Sequence, residues 1–476
     1  MTRLATALIV VVAALVMAPF AYGRSQPRGE PLDPIIFVHG FEGSGGQFES
    51  QQLRFAQNGY PARYVQVLEY NTLPATGVAG LNPLGIPLIE LDLFPRLDRL
   101  IAQVKAQTGR PKVELVAHSL GTKLMQDYLN SSPQRAANVA HYVNIDGQTA
   151  KAPPGGVPTL ALWATRGPLS PPGRSIGGAE NVSIPDSTHV QSATSPLSFR
   201  AMYRFFTGRT PRTTQIVAQR GRITLSGRDV NFPVNGGLTG ATVQAWPVNA
   251  AGRRTSAAPI ATYKIGPSGD FGPFTVRSGT RLEFAELRNG FPTHHFYFEP
   301  FVRSDHLIRL LESDLLRSAG GVPAANSVAM LVLRYKELWG DQGSQSDVLT
   351  VNGLSVCNAT TCPLSKEVNA LFVADFDHDD RSNTSFTWPL YAALGFFISS
   401  VDVFAPAHSP PIGEVTVGLR SRGAGPVRKI SFPDWPATTD VVTAQFDDWN
   451  FAPAAKAKCV ARHRHARRRA GCRGSR

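Results

Sequence analysis

The 476-residue chain predicts an α/β fold, with a doubly wound and mainly parallel sheet, followed by a mainly β region of sandwich or barrel type. Three observations carry this. Between about residues 34 and 206, short apolar, β-branched runs alternate with amphipathic segments of helix length. After Arg209 they give way to short strand-like runs separated by Gly, Pro and Asn. The composition, with 43 Gly, 37 Pro and only 17% charged residues, is that of a turn-rich chain. The length alone argues for two or three domains.

The N-terminus reads as an export signal over 1–23. Arg3 precedes an apolar run at 4–17, and Ala21 and Gly23 supply small residues at the cleavage site. A membrane anchor is the competing reading, because the run approaches the length of a short spanning helix; Pro19 and the small residues favour cleavage. No later segment is apolar enough to span a bilayer, so a secreted, soluble protein is expected. Four cysteines suit that compartment, as disulfides Cys357–Cys362 and Cys459–Cys472. Neither pair has the two-residue spacing of a zinc ribbon.

A catalytic domain is expected over 24–210. It opens with a doubly buried strand at 34–39, a glycine-rich turn at 40–46, a helix at 47–58 and a strand at 62–70. The stretch 72–93 is rich in Leu, Ile, Pro and Gly and has neither helical nor strand period, so it is a packed connection or a mobile apolar lid. A helix follows at 94–107, then strand 113–117, helix 120–129, strands 139–145, 159–164 and 181–184, and a closing helix at 197–206. A β-sandwich-like domain is expected over 211–300, from runs at 221–226, 241–246, 261–265, 270–276 and 279–284. A second mainly β region, 301–450, has runs at 327–335, 370–376 and 413–419 and is one domain with the first or separate from it. The tail, 451–476, carries nine Lys/Arg from 456 onward and no acid there. It therefore supplies most of the net charge of +13, leaving about +4 elsewhere. It is expected to be disordered and drawn to anionic lipid or cell-envelope polymer rather than to nucleic acid.

The chemistry centres on Ala117-His118-Ser119-Leu120-Gly121. A strand, then A-x-S-x-G, then a helix forces the serine onto a sharp turn with its hydroxyl exposed, and the flanking residues must be small. Ser119 is the expected nucleophile. His39-Gly40-Phe41 ends an earlier strand, so the N–H groups of Phe41 and Leu120 are the expected oxyanion donors. The base must follow the last strands of the sheet; His189 does, whereas His39 and His118 flank the site structurally and His141 lies within a strand. Asp146, at the end of the strand 139–145, is the expected acid, with Glu180 and Asp186 as alternatives. The run from Asp375 to Asp380 alternates carboxylates as calcium loops do, but lacks the sixth-position glycine and distal glutamate. It is read as a solvated acidic turn, where any calcium would be structural.

On these residues, the first 210 positions resemble the bacterial and archaeal lipase branch of the α/β-hydrolases, in which A-H-S-x-G is a familiar nucleophile signature. An acid one strand early resembles the pancreatic-lipase arrangement, and the long β-rich extension resembles archaeal lipases whose C-terminal β domain helps bind the acyl chain. The resemblance implies a carboxylic-ester hydrolase for acyl lipids, with a Ser119–His189–Asp146 triad and no cofactor. Acyl transfer to an alcohol or sugar by the same triad, polyester depolymerisation, and a polymer-binding β region with a minor esterase are the other readings.

Overall fold

The computed structural model describes residues 32–77, 80–81, 83–314 and 323–452. The expected export signal and the basic tail, with Cys459 and Cys472, lie outside the described residues.

Six strands form the first layer: β1 (Ile35–Val38), β2 (Val65–Leu68), β3 (Val113–His118), β4 (Val139–Ile145), β5 (Thr159–Ala164) and β6 (Glu180–Ile184). Their order is β2-β1-β3-β4-β5-β6 and every pairing is parallel. β1, β3 and β5 are buried at every position, which is why they read as unbroken runs rather than alternating ones. Helices α1 (Glu49–Gln57), α2 (Ile86–Thr108), α3 (Leu120–Ser131), α4 (Pro133–Ala137), α5 (His189–Thr194) and α6 (Pro196–Thr207) complete the α/β unit. The strand order reverses between β1 and β3, and the crevice beyond their carboxyl ends is the natural ligand site of such a sheet.

One helix starts earlier than its sequence suggested. α2 begins at Ile86 instead of 94, so the second part of the irregular stretch 72–93 is its first two turns. Ile89, Leu93, Leu97, Ile101 and Val104 form one buried stripe against the core around Leu115, Leu124 and Tyr128. The period is masked because Leu88 and Leu91 are exposed on the other face, and because Pro95 lies inside the helix.

The β region is built around one eight-stranded sheet. In chain order the strands are β7 (Arg222–Asn231), β8 (Thr242–Pro247), β9 (Ala261–Lys264), β10 (Asp270–Arg277), β11 (Leu282–Leu287), β12 (Thr293–Phe298), β13 (Asp305–Glu312), β14 (Met330–Leu333), β15 (Val348–Val351), β16 (Ala370–Ala374), β17 (Ile398–Asp402), β18 (Glu414–Arg420), β19 (Arg428–Pro433) and β20 (Asp440–Gln445). The large sheet runs β9-β8-β11-β12-β20-β14-β16-β17. A smaller sheet of β7, β10 and β13 encloses one apolar core with it, around Ile223, Leu225 and Phe284. A second, of β15, β18 and β19, encloses another around Leu349, Val417 and Val332. β20 lies parallel to both β12 and β14 and joins the two sandwiches. The expected division at residue 300 falls inside the first sandwich, whose last strand is β13.

Cys357 and Cys362 are buried free thiols, not the disulfide expected from their spacing. Burial and the adjacent Cys362 sulfur push the Cys357 thiol up, holding it protonated in the core of the second sandwich.

The position of the α2 start is testable by substitution. Leu93→Ala should destabilise the protein by about 2–5 kcal/mol, against about 0.5 kcal/mol or less for Leu91→Ala two residues earlier, as measured by denaturant unfolding. Equal costs would place residues 86–93 outside the folded helix.

Candidate active site

Ser119 follows the last residue of β3 and precedes α3, with φ 52° and ψ −124°. A non-glycine residue pays strain there, and the turn is held by neighbours. The Ser119 N–H donates to the Ile145 carbonyl at 3.1 Å, and the Ser119 carbonyl accepts from the Thr122 N–H at 2.9 Å. Two glycines permit the close packing. A Cβ on Gly40 would sit 2.7 Å from the Ser119 Cβ, and one on Gly121 would sit 2.5 Å from the His39 carbonyl oxygen. Among the described residues, the N–H groups of Phe41 and Leu120 have no protein partner, and Phe41 and Ser119 line the same cavity. Glu42 also lines it, and burial pushes its carboxyl up to about 7, so near neutrality it carries only part of a charge.

Asp146 directly follows β4, with φ 44°. Its Oδ2 accepts from His189 Nδ1 at 2.6 Å and from the Ser170 hydroxyl at 2.6 Å. Its Oδ1 accepts from the Ala164 N–H at 2.8 Å and from the Arg174 guanidinium. Burial alone would raise the acid. The hydrogen bond and charge of His189, then Arg174 and Ser170, outweigh burial and bring it down to about 2. Because Nδ1 donates to the carboxylate, Nε2 is left as the acceptor on neutral His189, which also lines the cavity. Ser119 Oγ makes no hydrogen bond to the described residues; such contacts are often loose before substrate arrives. Of the two alternative acids, Asp186 is exposed and paired with Arg166 at 3.2 Å, and Glu180 is exposed on β6.

The other candidate histidines have structural partners. His118 Nε2 donates to the His189 carbonyl at 3.1 Å while its Nδ1 accepts from Gln47 at 2.7 Å; burial keeps it neutral. His39 donates through Nδ1 to the Gly40 carbonyl at 2.9 Å and stacks on Tyr70. His141 bonds Glu114 at 2.9 Å across β3 and β4.

Sequence reasoning missed the groups that hold these loops, because they lie far along the chain. The N–H groups at the start of α5 are taken by two glutamate side chains from the β region. Glu337 accepts from Val190 at 2.6 Å and from Gln191 at 3.1 Å, and Glu367 accepts from His189 at 3.2 Å. Glu337 is itself fixed by the fully buried Arg334, which donates to its carbonyl at 2.6 Å and pairs with Asp347 at 3.0 Å. On the other side of the site, Glu69 accepts from the Gly45 N–H at 3.0 Å and pairs with Arg309 of β13 at 2.6 Å. Phe397 adopts φ 73°, a rare conformation for an aromatic residue, and places its ring 6.2 Å from that of His189.

The cavity above Ser119 has a volume of about 540 Å³. Its polar floor is Ser119, His118 and His189, and its wall is apolar and comes from the β region, including Leu331, Leu333, Phe372 and Ile398. Along β14 and β16 the residues alternate. Val332 and Leu371 enter the sandwich core, whereas Leu331, Leu333 and Phe372 face the cavity. None of the described residues of 72–93 lines it.

Three family models match the chain in tandem. Lipase (class 2) covers residues 32–139, Lipase C-terminal domain covers 221–315, and a further C-terminal domain covers 322–450. The chain is thus similar to class 2 lipases over its first matched stretch and to lipase C-terminal domains over its second. The class 2 match takes in β1, the glycine-rich turn and Ser119, and ends before Asp146 and His189. No curated protein sequence matches. Among solved structures, this chain is similar to Aspergillus fumigatus lipase B at 15% identity and TM-score 0.28, over 42% of this chain and 56% of that one. A Bacillus licheniformis lipase in its propeptide form matches at 10% identity and TM-score 0.28, over 85% of this chain and 94% of that one. The chain thus spans little more than half the length of the Aspergillus enzyme.

The depressed acid makes a pH prediction. Its folded pKa of about 2 lies below the ordinary 3.8, so its stabilisation is present above pH 3.8 and is lost as pH falls toward 2. Unfolding free energies at pH 6 and pH 2 should converge between wild type and Asp146→Asn by about 2 kcal/mol. A constant gap would mean that the pairing with His189 does not stabilise the carboxylate.

Proposed function

We propose that this ester hydrolase is a secreted lipase acting on long-chain acyl esters through Ser119, His189 and Asp146. One observation carries the reading: a serine on a strained turn opens into an apolar cavity beside a histidine already bonded to a buried carboxylate. His189 Nε2 takes the Ser119 proton, the alkoxide attacks the ester carbonyl, and the N–H groups of Phe41 and Leu120 receive the oxyanion. The alcohol leaves with the proton from His189, and water activated by the same nitrogen releases the acid from the acyl-enzyme. Asp146 keeps Nδ1 protonated and stabilises the imidazolium; Ser170 and Arg174 hold Asp146 ionised. The apolar wall suits an extended acyl chain, since each buried CH₂ contributes about 0.8 kcal/mol. Export rests on the sequence signal around Arg3 and the apolar run after it.

Hydrolysis of p-nitrophenyl esters of graded chain length tests this. Ser119→Ala should lower turnover by about 10⁴-fold or more at every length. Phe372→Trp should suppress long-chain hydrolysis while sparing acetate and butyrate esters. Turnover independent of Ser119 would sink the proposal, and product appearing chiefly as a new ester when an alcohol is added would turn it toward acyl transfer.

Glu337 gives a separate test, as a positioning residue. Glu337→Gln weakens the charged hydrogen bonds to residues 190 and 191, worth about 1.5–3 kcal/mol each. We expect kcat to fall about 10-fold with KM nearly unchanged, and Glu337→Asp to recover part of it. A lowered melting temperature with wild-type kcat would make the residue merely structural.

A further inference from the structure

A second cleft lies apart from the cavity above Ser119 and shares none of its lining residues. It has a volume of about 760 Å³ and lies between β2 and α2 on one side and β7, β10 and β13 on the other. Among the described residues, five guanidinia line it against two carboxylates, Glu69 and Asp270. Arg63 precedes β2, and Arg96 and Arg99 lie one turn apart on α2. Arg228 comes from β7 and Arg309 from β13.

The two carboxylates do not answer these charges. Glu69 is buried and already accepts from the Gly45 N–H at 3.0 Å and from Arg309 at 2.6 Å. Arg228 stands 3.9 Å from Glu69 and 3.7 Å from the exposed Asp270, beyond hydrogen-bond reach of both. Its Nε donates instead to the Ser268 carbonyl. Burial and the charges of Arg309 and Arg96 lower its pKa, against the pull of Glu69 and Asp270. The Arg99 guanidinium has no hydrogen-bond or ion-pair partner among the described residues, and that of Arg63 lies over the Tyr64 ring.

The floor of the cleft is built around an irregularity. β7 pairs with β10 and with β13, and both registers shift between Leu225 and Gly227. Each partner strand carries one extra residue there, which bends it and re-aims its side chains. Ser226, Gly272 and His306 line the cleft at this point. His306 Nδ1 is 3.1 Å from the Ser226 hydroxyl, and its Nε2 has no partner among the described residues.

We propose that this cleft binds a phosphate group, held by Arg63, Arg99 and Arg228 with His306 at the floor. The guanidinium forks come from both the α/β unit and the first sandwich. A tetrahedral oxyanion offers acceptors in every direction, whereas a carboxylate offers two oxygens in one plane. The volume admits an organic phosphate as well as the free ion. Once bound, the ligand ties the α/β unit to the first sandwich. This does not depend on the role of Ser119.

Full-length protein is titrated with inorganic phosphate, with glycerol 3-phosphate and with phosphatidylcholine vesicles containing phosphatidic acid. The controls are chloride at equal ionic strength and vesicles of phosphatidylcholine alone; binding and melting temperature are measured. One equivalent of either soluble phosphate should bind and raise the melting temperature by about 3 °C at about 100 times its Kd. Arg228→Gln, and Arg99→Gln on the exposed face of α2, should each weaken binding by about 10-fold or more, so one non-folding variant does not spoil the test. Arg200→Gln, exposed on α6, should bind as wild type does. Binding of the acidic vesicles that needs Arg99 and Arg228, without a response to the soluble phosphates, would support the site and identify the carrier as a lipid headgroup. The proposal fails if no form of phosphate binds above its control. It fails equally if the variants at 99 and 228 bind as wild type does.

Discussion

Two glutamate side chains, Glu337 and Glu367, reach from the β region to the N–H groups that begin α5, and the placement of His189 follows from that contact. α5 is only six residues long and cannot hold itself together through its own hydrogen bonds. Its first N–H groups have no intrahelical acceptor, and they point into the protein instead of into water. The glutamates supply the acceptors, and the Arg334–Asp347 pair supplies the rigidity behind Glu337. A similar arrangement serves the opposite loop, where Arg309 and Glu69 fix Gly45. The β region is thus part of the site's framework as well as its wall.

The large sheet answers two demands at once. A strand in a sandwich normally turns one face to the core and one to water, giving a polar–apolar alternation. β14 and β16 are apolar on both faces, because the side away from the core borders the cavity. Such a sheet would present a greasy surface if the α/β unit were removed. The two parts of the chain therefore protect each other from solvent.

Much of the α/β unit was legible because its strands are buried on both faces and its site residues sit at strand ends. Ala117, Ser119 and Gly121 announce a tight turn through size alone. Asp146 and His189 were singled out by their positions after β4 and beyond β6, and the fold brings them within 2.6 Å of each other. The β region was harder. β12 contains His294 and His295 and β13 contains Asp305, Arg309 and Glu312, buried polar residues whose partners lie on other strands, so their apolar period is broken. Glu337 and Glu367 carry no local signal, since their acceptor role exists only across about 150 to 180 residues of sequence. The start of α2 was hidden by leucines on its outer face.

β20 has a consequence for how this molecule is made. Residues 440–445 form the strand between β12 and β14, at the middle of the large sheet, yet they follow every other strand of that sheet in the sequence. Until they arrive, each sandwich has an open edge where its central neighbour belongs. Pairings over such sequence distances form slowly. The nascent β region therefore waits as two unfinished halves, and a chain ending before residue 440 would lose the seam between them.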